Sequence, residues 1–332
     1  MTTIPDLYRS NFNVPSSADI LWRDHAGDTV LWTVDVNLMD VYVPLAVDTL
    51  PFVTPDWHVK ATADFDGFLD TDNSDILWQN DNGALALWQI LAGTVTAIHA
   101  LGPNPGPSWH VVGDNDFNGN AADDILFQNN NGALVIWTVA SAAAGTISGM
   151  FAGTQNPGPT WHVVGTGDTN SNEMPGREQT AGILWQNDNG ALVLWEDPTF
   201  AAGTFTFNTI AALPTVDPSW HVKGMADLDG DGRSDIIFQN DNGAVAVWQM
   251  GGAAGTTINA ANLINLNPGP TWHIVALRDM SGDLHADILL QNDNGALAAW
   301  IDYFPLGGGL AHVVPVSITP NPNPNGHVWD LL

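Results

Sequence analysis

Short apolar runs, bounded by Gly, Pro, Asn and Asp, cover almost the whole chain. Asp75-Ile-Leu-Trp-Gln79 followed by Ala84-Leu-Ala-Leu-Trp-Gln-Ile90 is representative. β-Branched and large apolar residues fill such runs, and turn residues punctuate them, which predicts strands. No stretch carries the three-and-four spacing of a helix face. Asp-Asn-Gly between two runs signals a hairpin, because that turn needs positive φ. One unit of four strands is expected at about Trp57–Ala63, Asp75–Gln79, Ala84–Ile90 and Thr94–Leu101.

The unit repeats, and the repeat decides the fold. Trp57-His58, Trp109-His110, Trp161-His162, Trp220-His221 and Trp272-His273 recur at intervals of about 52 residues. A second signature follows each pair: Gln79 to Gly83, Gln128 to Gly132, Gln186 to Gly190, Gln239 to Gly243 and Gln291 to Gly295. Each then leads into an apolar run ending at Trp88, Trp137, Trp195, Trp248 or Trp300. A sixth copy is split. Its back half is Ala18 to Gly27 with Val30-Leu-Trp32; at the other end, Pro322 to Val328 reproduces the lead-in, with Gly326 where Trp stands elsewhere. A linear solenoid needs polar caps at both ends. A ring closed by pairing the last strand into the first unit explains the split and removes the edges. The expected fold is therefore all-β, a six-bladed β-propeller of four-stranded antiparallel blades, the first blade closed by the C-terminal strand. Residues 1–332 form one domain, with blade 1 at about 16–50 plus 326–332. Blades 2 to 6 follow at about 57–101, 109–152, 161–213, 220–264 and 272–318.

Composition narrows the partners. Of 332 residues, 36 are Asp or Glu and 7 are Lys or Arg, a formal charge of −29. Nucleic acid is excluded, because phosphate binding needs clustered Lys and Arg. No apolar stretch approaches the roughly 18 residues of a membrane helix, so no membrane insertion is expected. Cysteine is absent, which excludes disulfides and thiolate metal sites. No cleavable signal is visible between Met1 and Ser17. A secreted or cell-surface location is nonetheless expected.

Between the first and second strands lies an acidic loop. Its fullest copy is Asp227-Leu-Asp229-Gly-Asp231-Gly-Arg233-Ser-Asp235. Oxygen ligands at positions 1, 3, 5 and 9, with a carbonyl from Arg233, suit a hard cation, and calcium (Ca2+) fits best. Asp116, Asn118, Asn120 and Asp124 keep this spacing, as do Asp279, Ser281, Asp283 and Asp287. The copy holding Asp64, Asp66 and Asp75 is three residues longer, and the copy from Asp168 ends on Gly182 where Asp belongs. The loop, followed by Ile-Ile inside a repeating β unit, resembles the FG-GAP or VCBS-type repeats of integrin-like propellers. That resemblance implies calcium bound at Asp227, Asp229, Asp231 and Asp235, bracing the blade.

Antiparallel pairing places the start of the first strand beside the end of the second. Trp57, His58 and Asn80 then share one rim, as do Trp109, His110 and Asn129; Trp161, His162 and Asn187; Trp220, His221 and Asn240; and Trp272, His273 and Asn292. The acidic loops fall at the opposite rim. Each rim residue also has a structural reading: Trp as a wedge between blades, Asn-Gly as a turn, and His as a hydrogen bonder to the neighbouring connection. The second Trp series reads as core. A group repeated in five blades suits a multivalent reader of neutral glycans, which makes a lectin-like or adhesive module the leading reading. A sugar-active lyase or hydratase is an alternative, resting on Arg23-Asp-His25 and the insertion Glu173 to Glu178. A calcium-stiffened structural or protein-docking disc is the third.

Overall fold

The computed structural model describes residues 18–24, 26–36, 42–65, 74–120, 122–140, 145–169, 180–252, 254–281, 283, 285–307, 310–318 and 329–331. Every regular element among them is a strand. Unit 1 holds β1 (Ala18–Asp24), β2 (Thr29–Val36) and β3 (Tyr42–Thr49); unit 2 holds β4 (Trp57–Ala63), β5 (Asp75–Asn80), β6 (Leu85–Leu91) and β7 (Thr94–Leu101). Unit 3 is β8 (Trp109–Asn115), β9 (Asp124–Asn129), β10 (Leu134–Val139) and β11 (Ile147–Gly153). Unit 4 is β12 (Trp161–Gly167), β13 (Gly182–Asn187), β14 (Leu192–Ala201) and β15 (Thr204–Leu213). Unit 5 is β16 (Trp220–Ala226), β17 (Asp235–Asn240), β18 (Val245–Gly251) and β19 (Thr257–Ile264). Unit 6 is β20 (Trp272–Arg278), β21 (Asp287–Asn292), β22 (Leu297–Gly307) and β23 (Leu310–Ile318), and β24 (Trp329–Leu331) follows.

Within each unit the strands pair antiparallel in chain order. The first strands of successive units pack beside one another. At the other side, outer strands touch in parallel at Ala152↔Thr204, Leu263↔Leu310 and Ile318↔Tyr42, which joins units 3 and 4 into an eight-stranded sheet and units 5, 6 and 1 into a twelve-stranded one, with unit 2 a four-stranded sheet of its own.

The apolar runs predicted as strands fill the seams between units. Leu77 and Leu87 of unit 2 join Val111, Phe127 and Trp137 of unit 3 in one buried cluster. Equivalent clusters join units 1 and 2, 3 and 4, 4 and 5, and 5 and 6. A further one packs Ile20, Trp22 and Trp32 of unit 1 against Ala276, Leu289 and Ala299 of unit 6. The second Trp series lies inside these seams, as expected of core. Trp88 is tilted on Trp78 at 5.0 Å, Trp137 on Phe127 at 4.8 Å, and Trp195 on Trp185 at 5.0 Å.

The split copy needs a correction of register. β24 pairs antiparallel with β1 through Trp22↔Leu331, Arg23↔Asp330 and Asp24↔Trp329. Ile20 faces Trp32 as Ile76 faces Trp88, so Arg23 is the counterpart of Gln79. Gln79 pairs with His58 and Asn80 with Trp57. Trp329-Asp330 therefore occupies the Trp-His place, not Gly326-His327. Those two residues lie outside the described part of the chain, as do residues 16 and 17.

Candidate functional site

The register places the Trp-His pair and the Asn-rich turn together, as strand pairing requires. Trp57 lies opposite Asn80, Trp109 opposite Asn129, Trp161 opposite Asn187, Trp220 opposite Asn240 and Trp272 opposite Asn292. The five indoles are half-buried and pack into the seam with the preceding unit.

The turn is tight for a steric reason. Gly83 has φ +95°, and a Cβ there would fall 2.3 Å from the Gly106 carbonyl oxygen of the outgoing connection. Gly132 is pressed against Gly158 in the same way. Around this contact the first Asn is fully committed. The Asn80 Oδ1 accepts from Asn82 N at 3.1 Å while its amide donates to Asp56 Oδ2 at 2.6 Å. Asn129, Asn187, Asn240 and Asn292 donate likewise to Ser108, Thr160, Ser219 and Thr271. These five Asn side chains brace the turn and have little left to offer a ligand.

The histidines face their own unit's turn rather than a neighbouring connection. His58 Nε2 lies 2.8 Å from Asp81 Oδ1, His162 2.9 Å from Asp188, His221 2.8 Å from Asp241 and His273 2.8 Å from Asp293. In unit 3 the partner is Asn130, 2.8 Å from His110. These pairs are open to solvent, with side-chain exposures of 49% for His58 and 68% for Asp81.

One role was invisible at the residue level. Gln79 donates to the Trp109 carbonyl at 2.9 Å and accepts from Val111 N at 3.0 Å, clamping the next unit's first strand. Gln128 clamps Trp161 and Val163, and Gln239 clamps Trp272 and Ile274. In unit 1, Arg23 takes the place of Gln. It donates to the carbonyls of Val53, Thr54 and Trp57 and lies 5.4 Å from the Trp78 ring centroid. Asp24 Oδ1 accepts from the backbone of Ala26, Gly27 and Asp28. Both residues thus hold the structure together. His25 and residues 173–178, also named for the enzyme alternative, lie outside the described residues.

The acidic loops occupy the opposite end of the first two strands, where Ala226 pairs with Asp235. Asp227, Asp229 and Asp235 bring one oxygen each within 4.8 Å of one another. Two glycines at positive φ fold the loop tightly enough for Gly230 N and Gly232 N to donate to Asp227. Burial raises the pKa of all three; the Asp229 charge adds at Asp235, and the Asp231 charge adds at Asp229. Asp231 instead accepts from Arg233, backbone and guanidinium, at 3.0 and 2.9 Å. The expected ligand set thus splits into a carboxylate trio and a separate ion pair.

The other copies are filled differently. Asn118 donates its amide to both oxygens of Asp124, at 3.0 and 2.8 Å, and Asn120 donates to the Val139 carbonyl. Asp116 accepts from three loop N–H groups. Burial pushes Asp124 up to about 8 and Asp287 up to about 7. Asp287 accepts from Met280 N and Ser281 N, and the Asp279 carboxylate is reached by the Ser281 hydroxyl. Asp283 accepts from His285 N at 3.0 Å. Asp75 accepts from Ile90 N, while Asp64 N donates across the seam to Asp123; Asp66 lies outside the described residues. In the fourth copy, a Cβ at Gly182 would fall 2.3 Å from Glu196 Oε1, so Glu196 supplies the carboxylate that position 182 lacks. Backbone bonds also chain the loops together: Asp64 O, Asp116 O, Asp168 O and Asp227 O each accept from the following unit's loop.

Residues 227–290 match the FG-GAP-like repeat family. One similar solved structure is described as BBS1N in complex with ARL6DN, soaked with mercury. The similarity is 14% identity and a TM-score of 0.41, over 86% of this chain and 74% of that one. No curated protein matches the sequence.

Proposed function

We propose that this chain, whose residues 227–290 match the FG-GAP-like repeat family, is a binding module built as a closed six-bladed β-propeller. Six seam clusters, the last joining units 6 and 1, together with the β1–β24 pairing, support the ring. The observation that carries the functional reading is repetition. Five units present an exposed His–carboxylate or His–amide pair beside a half-buried indole in one register. An active site gathers unlike groups once. Equivalent groups repeated around a rim suit a multivalent ligand, and an indole beside polar hydrogen bonders suits the apolar face and polar edge of a neutral sugar. Fold alone says little about function, so the ligand class rests on this grouping. Among the described residues no helix is long and apolar enough to cross a membrane, and a secreted or cell-surface adhesive role is the setting we assign.

A glycan array is the first test. We expect hits among multivalent neutral glycans and weak affinity for the free monosaccharide, because linked sites gain about 10²–10⁴ through effective concentration. An array without hits, using folded protein, would refute the glycan reading.

The 227–235 loop fits a divalent cation, since three partly buried carboxylates within 4.8 Å repel one another when ionised. Asp227, Asp229 and Asp235 would hold calcium there and brace unit 5 against unit 6, whose Ala286 N donates to Asp227 O at 2.7 Å. The pH dependence follows from the raised pKa values. Carboxylates raised in the folded state favour protonation there, so their contribution to stability is full below the unfolded value near 4 and is lost as pH rises through the folded value. With chelator, the melting temperature should rise as pH falls from 8 to 5, as Asp124 (about 8) and Asp287 (about 7) take up protons. At pH 8, excess calcium should raise the melting temperature by mass action, and Asp229→Ala with Asp235→Asn should remove that response. Identical melts in chelator and in calcium would overturn the cation assignment.

A further inference from the structure

The chain has two lysines, Lys60 and Lys223, and both occupy the same place in the repeat. Each stands where a bulge interrupts the first strand of its unit, between Val59 and Ala61 and between Val222 and Gly224. The bulges of units 3, 4 and 6 carry Val112, Val164 and Val275 instead. Those valines pack into the seam with the following unit. A lysine at this position can pack its methylene stem where the valines pack, while its ammonium seeks a polar surrounding.

The rim indoles pack in these same seams. Trp109 packs into the seam after unit 2 and Trp272 into the seam after unit 5. Lys60 feels the charge of Asp81, the partner of His58. Both lysines are half-buried, and neither ammonium makes a hydrogen bond or ion pair with another described residue. Burial lowers the pKa of both. An ammonium drawn from water without a hydrogen-bonded partner is unfavourable; Asp81 offsets part of that for Lys60, and no described carboxylate does so for Lys223. Three sister units solve the same packing problem with valine, so packing alone does not call for lysine.

We propose that Lys60 and Lys223 form two oxyanion sites, at the seams following units 2 and 5, which take the carboxylate of an acidic sugar. The sugar rests on the rim reading above; the oxyanion does not. Two of the five rim positions then differ from the rest, preferring a charged residue of the glycan where the others take a neutral one.

Two lysines make the test direct, because protein labelled with ¹³C only in lysine gives two Cε signals. Free glucuronate is titrated, with glucose as the neutral control and inorganic sulfate as an oxyanion without a ring. Both signals should move saturably with glucuronate and stay still with glucose. Lys60→Val, the residue used by units 3 and 4, should delete one signal and leave the response of the other intact. Saturation by sulfate as well as glucuronate supports the oxyanion sites and removes the claim on the sugar. No saturable movement with either anion overturns the proposal, whatever the glycan array yields.

Discussion

Removal of residues 326–332 is expected to turn a cooperative melt into aggregation, or to lower the melting temperature by roughly 5–10 °C, on the scale of 2–4 °C per kcal/mol for large domains. The deletion takes away β24, which pairs with β1 at Trp22, Arg23 and Asp24. β1 would then present a free edge, where an unpaired row of N–H and C=O groups invites association. The seam between units 6 and 1 would lose support at the same place, although its cluster of Ile20, Trp22, Ala276 and Leu289 is otherwise as apolar as the rest. A truncated chain that melts like the full one would show that the fold does not depend on this strand.

The second large effect is expected at Arg23. This buried guanidinium holds three backbone carbonyls of the lead-in to unit 2 and lies against Trp78. Arg23→Ala leaves those carbonyls short of partners in a closed seam, and buried unsatisfied groups cost about 1–3 kcal/mol each. Allowing for water entry, a loss of about 3–5 kcal/mol in unfolding free energy is expected from denaturant titration. Arg23→Gln should recover part of it, because Gln79, Gln128 and Gln239 perform the corresponding clamp in other units. An Ala variant as stable as the parent would mean that the contacts are incidental.

The strand unit, the hairpin turns and the pairing of Trp with Asn were legible because each rests on a local pattern: alternation, Asn-Gly, and antiparallel geometry. The register of the split copy was not. Pro322 to Val328 imitates the lead-in of other copies, yet the strand pairs three residues further on, at Trp329. Similarity of letters marks a lead-in, whereas register is set by the bonds that β1 has to offer. The clamp by Gln79 escaped for a different reason: its partners are backbone atoms of the next unit, which carry no side-chain signature. For the turn asparagines a signal did exist. Asp56, Ser108, Thr160, Ser219 and Thr271 precede the five Trp-His pairs, and all can accept the Asn amide.

The acidic loops show where spacing stops being informative. Asp116 to Asp124 has the same ligand positions as Asp227 to Asp235, yet an amide changes what fills the loop. Asn118 donates to Asp124 from the third position, the place held by Asp229 in the fuller loop. A carboxylate at that place adds charge that a cation can balance; an amide supplies the N–H itself.

The claim at the centre of this account is that one rim presents several equivalent sites. Calorimetric titration of the full chain with the monosaccharide from the strongest array hit measures this most directly. The account predicts weak binding with a stoichiometry above one and at most five, falling stepwise as His110, His162 and His273 are replaced in turn. A single equivalent per chain, abolished by substitution in one unit and untouched by the others, would contradict it.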